Sequence, residues 1–474
     1  MMQRISLFVL LLFLIEPGPS ALGQAVDLIA EPDNSLSAPT PLDDYVARKD
    51  SSFAWEIVTH RNQPMHDEIV VELTSQKWRN ESEIDRVEWK HWLTVIAPKV
   101  APTDVAMLYV TGGSNRDDPP KAADGRLIKL ALATGSVVAE LRNVPNQPLV
   151  LSNSGEGDNQ KERYEDDLLA ASWVESMKSG DPTWIAQLAM AKSAVAAMDA
   201  VQQVLAADQD LPQVERFVVA GASKRGWTTW LAGAVDPRVV AIAPIVIDVL
   251  NIAPSIKHHY ASYGFWSKAL KDYENQGLAE RMDDPESEAI RAIIDPYRYR
   301  DRLTMPKCLI NASGDEFFLP DSSRFYFDDL VGEKHLSYTP NVGHSLRGSN
   351  ALDTLVSFHA SVVHNLKRPK VTWTNPHGAA EHVVTCSHPP IEATLWRAVN
   401  PKARDFRHPI VGDAFKSQEL KPQPDGSYLV KVEKPEEGFS ATFARFTFDI
   451  GAPKPWRVST PVWVAPDVEP FANE

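Results

Sequence analysis

Phe217-Val218-Val219-Ala220-Gly221-Ala222-Ser223-Lys224-Arg225-Gly226-Trp227 is the stretch whose reading decides the fold. Its first four residues read as a strand buried on both faces, and a helix follows from Gly226 to Val235. A serine at so tight a strand-to-helix turn is held above the sheet edge, and the glycines let strand and helix approach closely. The first helical residues leave N–H groups unpaired, which favours negative charge developing nearby. The usual spacing puts the second glycine two residues after the serine. Here Lys224 and Arg225 both intervene, giving the variant G-x-S-x-x-G. A serine in this place can also be a plain helix cap. The strand before it and the helix after it favour a nucleophile.

A serine nucleophile on such a turn needs an acid and then a histidine, in that chain order. Leu309-Ile310-Asn311-Ala312-Ser313-Gly314-Asp315 reads as a strand ending in a carboxylate. His335 to Thr339 reads as the next strand, followed by Pro340-Asn341-Val342-Gly343-His344. Both candidates fall just past C-terminal strand ends, where open α/β sheets place their sites. His344 would take the proton from Ser223 and later deliver it to the leaving group, and Asp315 would orient the imidazole. Glu316 and Asp321 compete for the acid role, as does Asp248 after Ile245-Val246-Ile247. An oxyanion hole would come from the Lys224 N–H and from Gly112 and Gly113 in Thr111-Gly112-Gly113-Ser114, just after the strand Val105 to Val110.

Around this centre, strands and helices alternate. Strand-like segments occur at Phe53 to Thr59, Ile69 to Ser75, Glu88 to Ile96 and Val137 to Leu141. Helical periodicity runs over Asp167 to Met177, Thr183 to Ala207 and Ala351 to Leu366, and a short helix is expected over Phe325 to Leu330. This pattern implies an α/β chain with a mostly parallel sheet and helices on both faces. Residues 248–302, rich in aromatic and charged side chains, break the pattern and read as a helical insertion over the sheet. His258, Tyr260 and Trp266 there, with Arg225 and Trp227 beside the serine, are the candidate substrate-binding residues. Beyond residue 369 the segments are short, β-prone and separated by Pro, Gly, Asn and Asp. They suggest a small β-sandwich-like domain over 370–474.

The N-terminus adds a positive Arg4, an apolar run from Ile5 to Ile15, and Ala21-Leu22-Gly23. That reads as a cleaved signal peptide over 1–23, hence an exported protein with no membrane span after cleavage. Residues 24–50 read as a leader arm and 51–369 as the main domain. The 474 residues carry a net charge of −15, with 43% hydrophobic and 23% charged residues. This is a globular balance whose acidity disfavours nucleic acid and anionic membranes as partners. The two cysteines, Cys308 and Cys386, read as unpaired thiols, and no CxxC or HExxH pattern points to zinc. No cofactor or metal is expected.

Several of these stretches together resemble the PhoPQ-activated pathogenicity-related family. They are Gly221-Ala222-Ser223-Lys224-Arg225-Gly226-Trp227 with Asp236-Pro237-Arg238-Val239, Thr111-Gly112-Gly113-Ser114-Asn115, Gly314-Asp315-Glu316-Phe317-Phe318 and Asn341-Val342-Gly343-His344-Ser345. The resemblance spans nearly the whole mature chain. It implies an α/β-hydrolase-like fold and the triad positions, and it says little about substrate. The elbow is also similar to that of glucuronoyl esterases, which place a cation directly after the serine. The expectation is therefore a serine hydrolase that cleaves an ester or amide in a small molecule, peptide or glycan ester. The alternative is an exported binding protein that keeps this fold without turnover.

Overall fold

The computed structural model describes residues 39–152 and 161–472. The expected signal peptide lies outside the described residues. Residues from Pro39 onward form one compact unit.

The chain opens with α1 (Pro41–Ala47) and a meander of long strands, β1 (Ala54–Asn62), β2 (His66–Lys77) and β3 (Glu88–Pro98). Next come β4 (Val105–Val110), α2 (Gly125–Thr134) and β5 (Val138–Leu141), then a two-residue ribbon, β6 (Leu149–Val150) and β7 (Glu162–Arg163). The helices α3 (Glu165–Ser179) and α4 (Ala186–Ala206) lead to β8 (Arg216–Ala222), α5 (Lys224–Val235) and β9 (Val239–Ile245). The insertion holds α6 (Ile252–Tyr263), α7 (Lys271–Asn275) and α8 (Pro285–Ile294), so the expected helical character holds. The sheet resumes with β10 (Lys307–Ala312) and β11 (Lys334–Thr339), followed by α9 (Ala351–Val363).

The central strand order is β2-β3-β5-β4-β8-β9-β10-β11. The strand β3 is antiparallel to both its neighbours, and from β5 to β11 every pairing is parallel. This is the order and sense of the α/β-hydrolase sheet. The strand β8 occupies the middle, so a residue at its C-terminal end sits at the centre of the sheet's active rim. Apolar layers fill both faces. One packs α4, α5 and the insertion against the sheet, and the other packs α2 and α9. Pro244 within β9 has a local consequence. Ile242 and Val246 on the same edge donate to Pro306 and Ile310, while proline has no N–H to give, so the ladder to β10 has a gap there.

The C-terminal strands have the expected β texture but do not form a detached domain. They are β12 (Val371–Trp373), β13 (Glu381–Cys386), β14 (Glu392–Asn400), β15 (Lys416–Glu419), β16 (Tyr428–Lys431), β17 (Phe439–Phe448), β18 (Trp456–Ser459) and β19 (Trp463–Ala465). Leu336 of β11 pairs with Ser459 of β18, and β17, β14 and β15 extend the same sheet outward. The edge that β11 would otherwise expose is thereby covered. A second sheet, β12-β13-β16, packs on this extension through Val384, Val430, Phe446 and Trp463, which supplies the sandwich-like layering.

Two further expectations are corrected. Residues 39–50 are no loose arm, because Leu42 and Tyr45 of α1 are buried and Tyr45 donates to Gln76. Residues 325–330 are not helical. A single 3₁₀ turn (Ser322–Phe325) ends at Tyr326, whose hydroxyl is drawn inward to Asp248.

Candidate active site

Ser223 lies between β8 and α5 with φ 59° and ψ −127°, a left-handed backbone that non-glycine residues rarely adopt. Its N–H donates to Ile245 O at 2.7 Å, and its carbonyl accepts the Trp227 N–H at 3.0 Å. The two glycines explain the variant spacing. A Cβ at Gly221 would sit 2.6 Å from Arg225 O, and one at Gly226 would sit 2.9 Å from Ile247 Cγ2. Gly221 thus makes room for the first helical turn, and Gly226 lets that turn rest on the segment after β9. A glycine directly after Lys224 is not needed, because Arg225 points away into a half-buried ion pair with Glu165.

Asp315 and His344 follow β10 and β11 and meet as the sequence order required. His344 Nδ1 lies 2.9 Å from both Asp315 carboxylate oxygens. Asp315 also accepts the Phe317 N–H at 2.8 Å, which fixes the carboxylate. Glu316, one of the competing acids, holds the His344 backbone N–H at 2.6 Å rather than the ring. The imidazole lies 4.4 Å from the Phe317 ring, centroid to centroid. Its Nε2 is buried and has no hydrogen-bond partner among the described residues. No hydrogen bond joins it to Ser223 Oγ there. The two are bracketed by shared neighbours. Phe317 and Phe318 contact the imidazole and also wall the cavity that contains Ser223. Ala222 and His344 line one groove.

The other two acids are engaged elsewhere. Asp248 is 3% exposed and accepts hydroxyls from Tyr326 and Tyr338. Burial pushes its carboxyl up to about 7 despite those two donors. Asp321 pairs with His258 at 3.2 Å and with Arg404 at 2.6 Å.

The candidate oxyanion loop follows β4. Thr111 N–H donates to Leu141 O at 2.8 Å, and Ser114 N–H to Asp117 Oδ2 at 2.7 Å. The N–H groups of Gly112 and Gly113 between them, and of Lys224 at the first position of α5, have no partner among the described residues. A Cβ at Gly112 would lie 2.6 Å from Arg225 Nη2, so a larger residue here would have to displace the guanidinium from Glu165.

Glu165, which sequence reasoning missed, ties these parts together. It starts α3 with φ 49°. Its carboxylate binds Arg225 through both terminal nitrogens, at 2.7 and 2.6 Å, and Lys224 Nζ at 2.7 Å. Gln147 Nε2 reaches the same carboxylate at 2.7 Å and Gly113 O at 3.0 Å. Burial alone would raise the Glu165 carboxyl, but the Arg225 and Lys224 cations hold it well below the usual carboxylate range. Lys224 also pairs with Asp166 at 3.1 Å. The Arg225 side chain, expected to bind substrate, is therefore spent on Glu165 and the Val144 carbonyl. No signal in the sequence links Glu165 to residues some sixty positions away.

Beside Ser223 lies a cavity of about 110 Å³. Trp173, Trp227, Ile247, Trp266, Leu278 and Phe317 are among its walls. Trp227 is locked by an Nε1 hydrogen bond to Ile294 O at 2.6 Å and an edge contact with Trp173. Of the expected insertion residues, only Trp266 reaches the cavity. Tyr260 packs behind it at 5.1 Å, and His258 is turned away with both ring nitrogens on carboxylates, Asp321 and Glu469. His259 stacks against Trp266, and its Nε2 accepts the Ser267 N–H. Burial pushes His259 down to about 3, so it is neutral. Both cysteines are free, and no group of three metal-ligating side chains occurs among the described residues. No described helix is long and apolar enough to cross a membrane.

The chain is 38% identical over 427 residues to autocrine proliferation repressor protein A of Dictyostelium discoideum, covering 85% of each chain. Among solved structures it resembles acetyl xylan esterase 1 of a Thermoanaerobacterium species, with 16% identity and a TM-score of 0.44 over 68% of this chain and 94% of that one. It also resembles a glucuronoyl esterase of Solibacter usitatus, with 15% identity and a TM-score of 0.41 over 66% and 86%. The model of the PhoPQ-activated pathogenicity-related proteins matches residues 42–407, the span that carries the sheet, the elbow, the insertion and the Asp315–His344 pair. The chain belongs to the PhoPQ-activated pathogenicity-related protein family.

Proposed function

We propose that the protein is an exported serine hydrolase that cleaves a carboxylic ester through Ser223, His344 and Asp315. The observation that carries the reading is the pairing of a strained elbow serine with an Asp-bound imidazole whose outer nitrogen is left free. With Nδ1 held by Asp315, the neutral ring presents Nε2 as an acceptor. Ser223 attacks the substrate carbonyl while Nε2 takes its proton. Negative charge developing on the carbonyl oxygen is met by the N–H groups of Lys224, Gly112 and Gly113. The imidazolium, steadied by Asp315, then gives its proton to the departing alkoxide. Water repeats the sequence on the acyl-enzyme, with His344 as base again. In this scheme the Ser223–His344 hydrogen bond closes when substrate enters, a common behaviour of catalytic pairs.

The test is hydrolysis of 4-methylumbelliferyl acetate. Ser223→Ala is expected to lower kcat/KM by at least ~10³-fold with folding intact. Equal activity in the two proteins contradicts the reading. One observation favours a second reading, an exported binding protein without turnover: the serine and the imidazole are not hydrogen-bonded to each other. Absence of any ester or amide turnover by folded protein supports it.

A further inference from the structure

We infer that the cavity beside Ser223 selects the substrate's acyl group, and that this group is apolar and about four to six carbons long, or a single aromatic ring. The inference rests on the serine-hydrolase reading and adds the substrate class.

Three observations carry it. First, the cavity reaches Ser223 itself, and its walls are overwhelmingly hydrocarbon: Trp173, Trp227, Ile247, Ile256, Trp266 and Leu278. Apolar cavities of this kind stay dry and take apolar ligands. Second, the cation and the phenol at its rim are already paired, and the remaining charged rim residue, Glu274, is itself an acid. Lys224 Nζ is held by both Glu165 and Asp166, and the Tyr273 hydroxyl donates to Asp166 at 3.0 Å. Lys224, the cation next to the serine that would suit an acidic substrate, is thus already paired with two carboxylates, one of them shared with Arg225. A substrate carboxylate entering here would gain no unpaired cation and would lose its hydration. Third, the size is bounded. The volume of about 110 Å³ is somewhat below the ~150 Å³ of an engineered cavity that holds benzene. The walls leave little slack, because Trp227 is pinned by its hydrogen bond to Ile294 O and Trp266 is backed by His259 and Tyr260.

On the other side of the rim the surroundings change character. The groove shared by Ala222 and His344 is lined by Asp124, Arg126, Glu140, Arg142 and Arg347. This mixed-charge surface suits a hydroxylated leaving group. The substrate class is therefore an ester of a short apolar or benzoic-type acid with a polar alcohol.

The experiment is a series of 4-methylumbelliferyl esters from acetate to decanoate, with one leaving group throughout. Each added methylene is expected to raise kcat/KM about fourfold, up to butyrate or hexanoate, after which kcat/KM falls. Filling the cavity with Ala279→Phe is expected to cut the hexanoate-to-acetate ratio at least tenfold. A chain-length profile that is flat or highest at acetate, with a ratio unmoved by Ala279→Phe in folded protein, overturns the inference and leaves the hydrolase reading standing. Loss of turnover on every ester, with Ser223→Ala indistinguishable from the parent protein, overturns the reading beneath it.

Discussion

Two aspartate–histidine pairs begin six residues apart on the segment that follows β10, and they have opposite character. In one, Asp315 holds His344 Nδ1 and leaves Nε2 without a partner. In the other, Asp321 holds His258 Nε2, Glu469 takes Nδ1, and Arg404 adds a cation to the same aspartate. The second pair is closed. Both ring nitrogens of His258 and both carboxylate oxygens of Asp321 are engaged, and the pair ties the insertion, the loop after β10 and the C-terminal region together. The first is open, with Nε2 unpartnered, as the proposed chemistry requires. A buried polar atom without a partner is costly, and in the proposed mechanism the serine and substrate supply the partner that His344 Nε2 lacks.

Breaking each pair in turn should separate the roles. The largest effect is expected from Asp315→Asn, which favours the wrong imidazole tautomer and should lower kcat/KM by ~10⁴-fold. His258→Gln should leave kcat/KM within about threefold while costing about 2 kcal/mol of stability, because buried partners are orphaned. Unfolding in urea and steady-state kinetics on both variants check this. Similar activity losses in the two would erase the distinction.

The next effect concerns Asp248, which sits near the open pair but takes no part in it. Its carboxyl is raised to about 7 in the folded protein, against about 3.9 in an unfolded chain. The native state thus holds a proton that the unfolded state releases, and stability falls as pH rises from about 4 to 7. The stabilisation lost across that window is at most about 4 kcal/mol. Asp248→Asn should flatten this slope, so that wild type loses ground to the variant between about pH 4 and 7. Parallel stability profiles would contradict it.

The smallest effect sharpens the comparison from a different side. Glu165→Gln keeps the shape of the clamp and removes the charge that holds Lys224 and Arg225. It should lower kcat about 10- to 100-fold with KM changed less than threefold, because the oxyanion loop shifts while the cavity stays. A change confined to KM would show that Glu165 shapes substrate binding instead.

The sequence made the open pair legible because its parts obey local rules. The strand Phe217 to Ala220, the two glycines and the chain order of Asp315 and His344 all carry signals within a few residues. The helix α2 was just as readable and was missed, although Asp124 caps it and Gly135 ends it at φ 60°. The closed pair was not legible, because Asp321, Arg404 and Glu469 meet only through tertiary folding. The same holds for Glu165, and for the C-terminal strands. Their short β-prone segments read correctly as strands, but nothing local says that β18 would pair with β11 instead of forming a sheet of its own.

The most direct test of the account is peptide mapping by mass spectrometry after treatment with a fluorophosphonate. One covalent adduct is expected on the peptide containing Ser223, formed at least ~10²-fold more slowly in His344→Ala. A folded protein that takes no label at Ser223, or takes it equally fast without the imidazole, would contradict it.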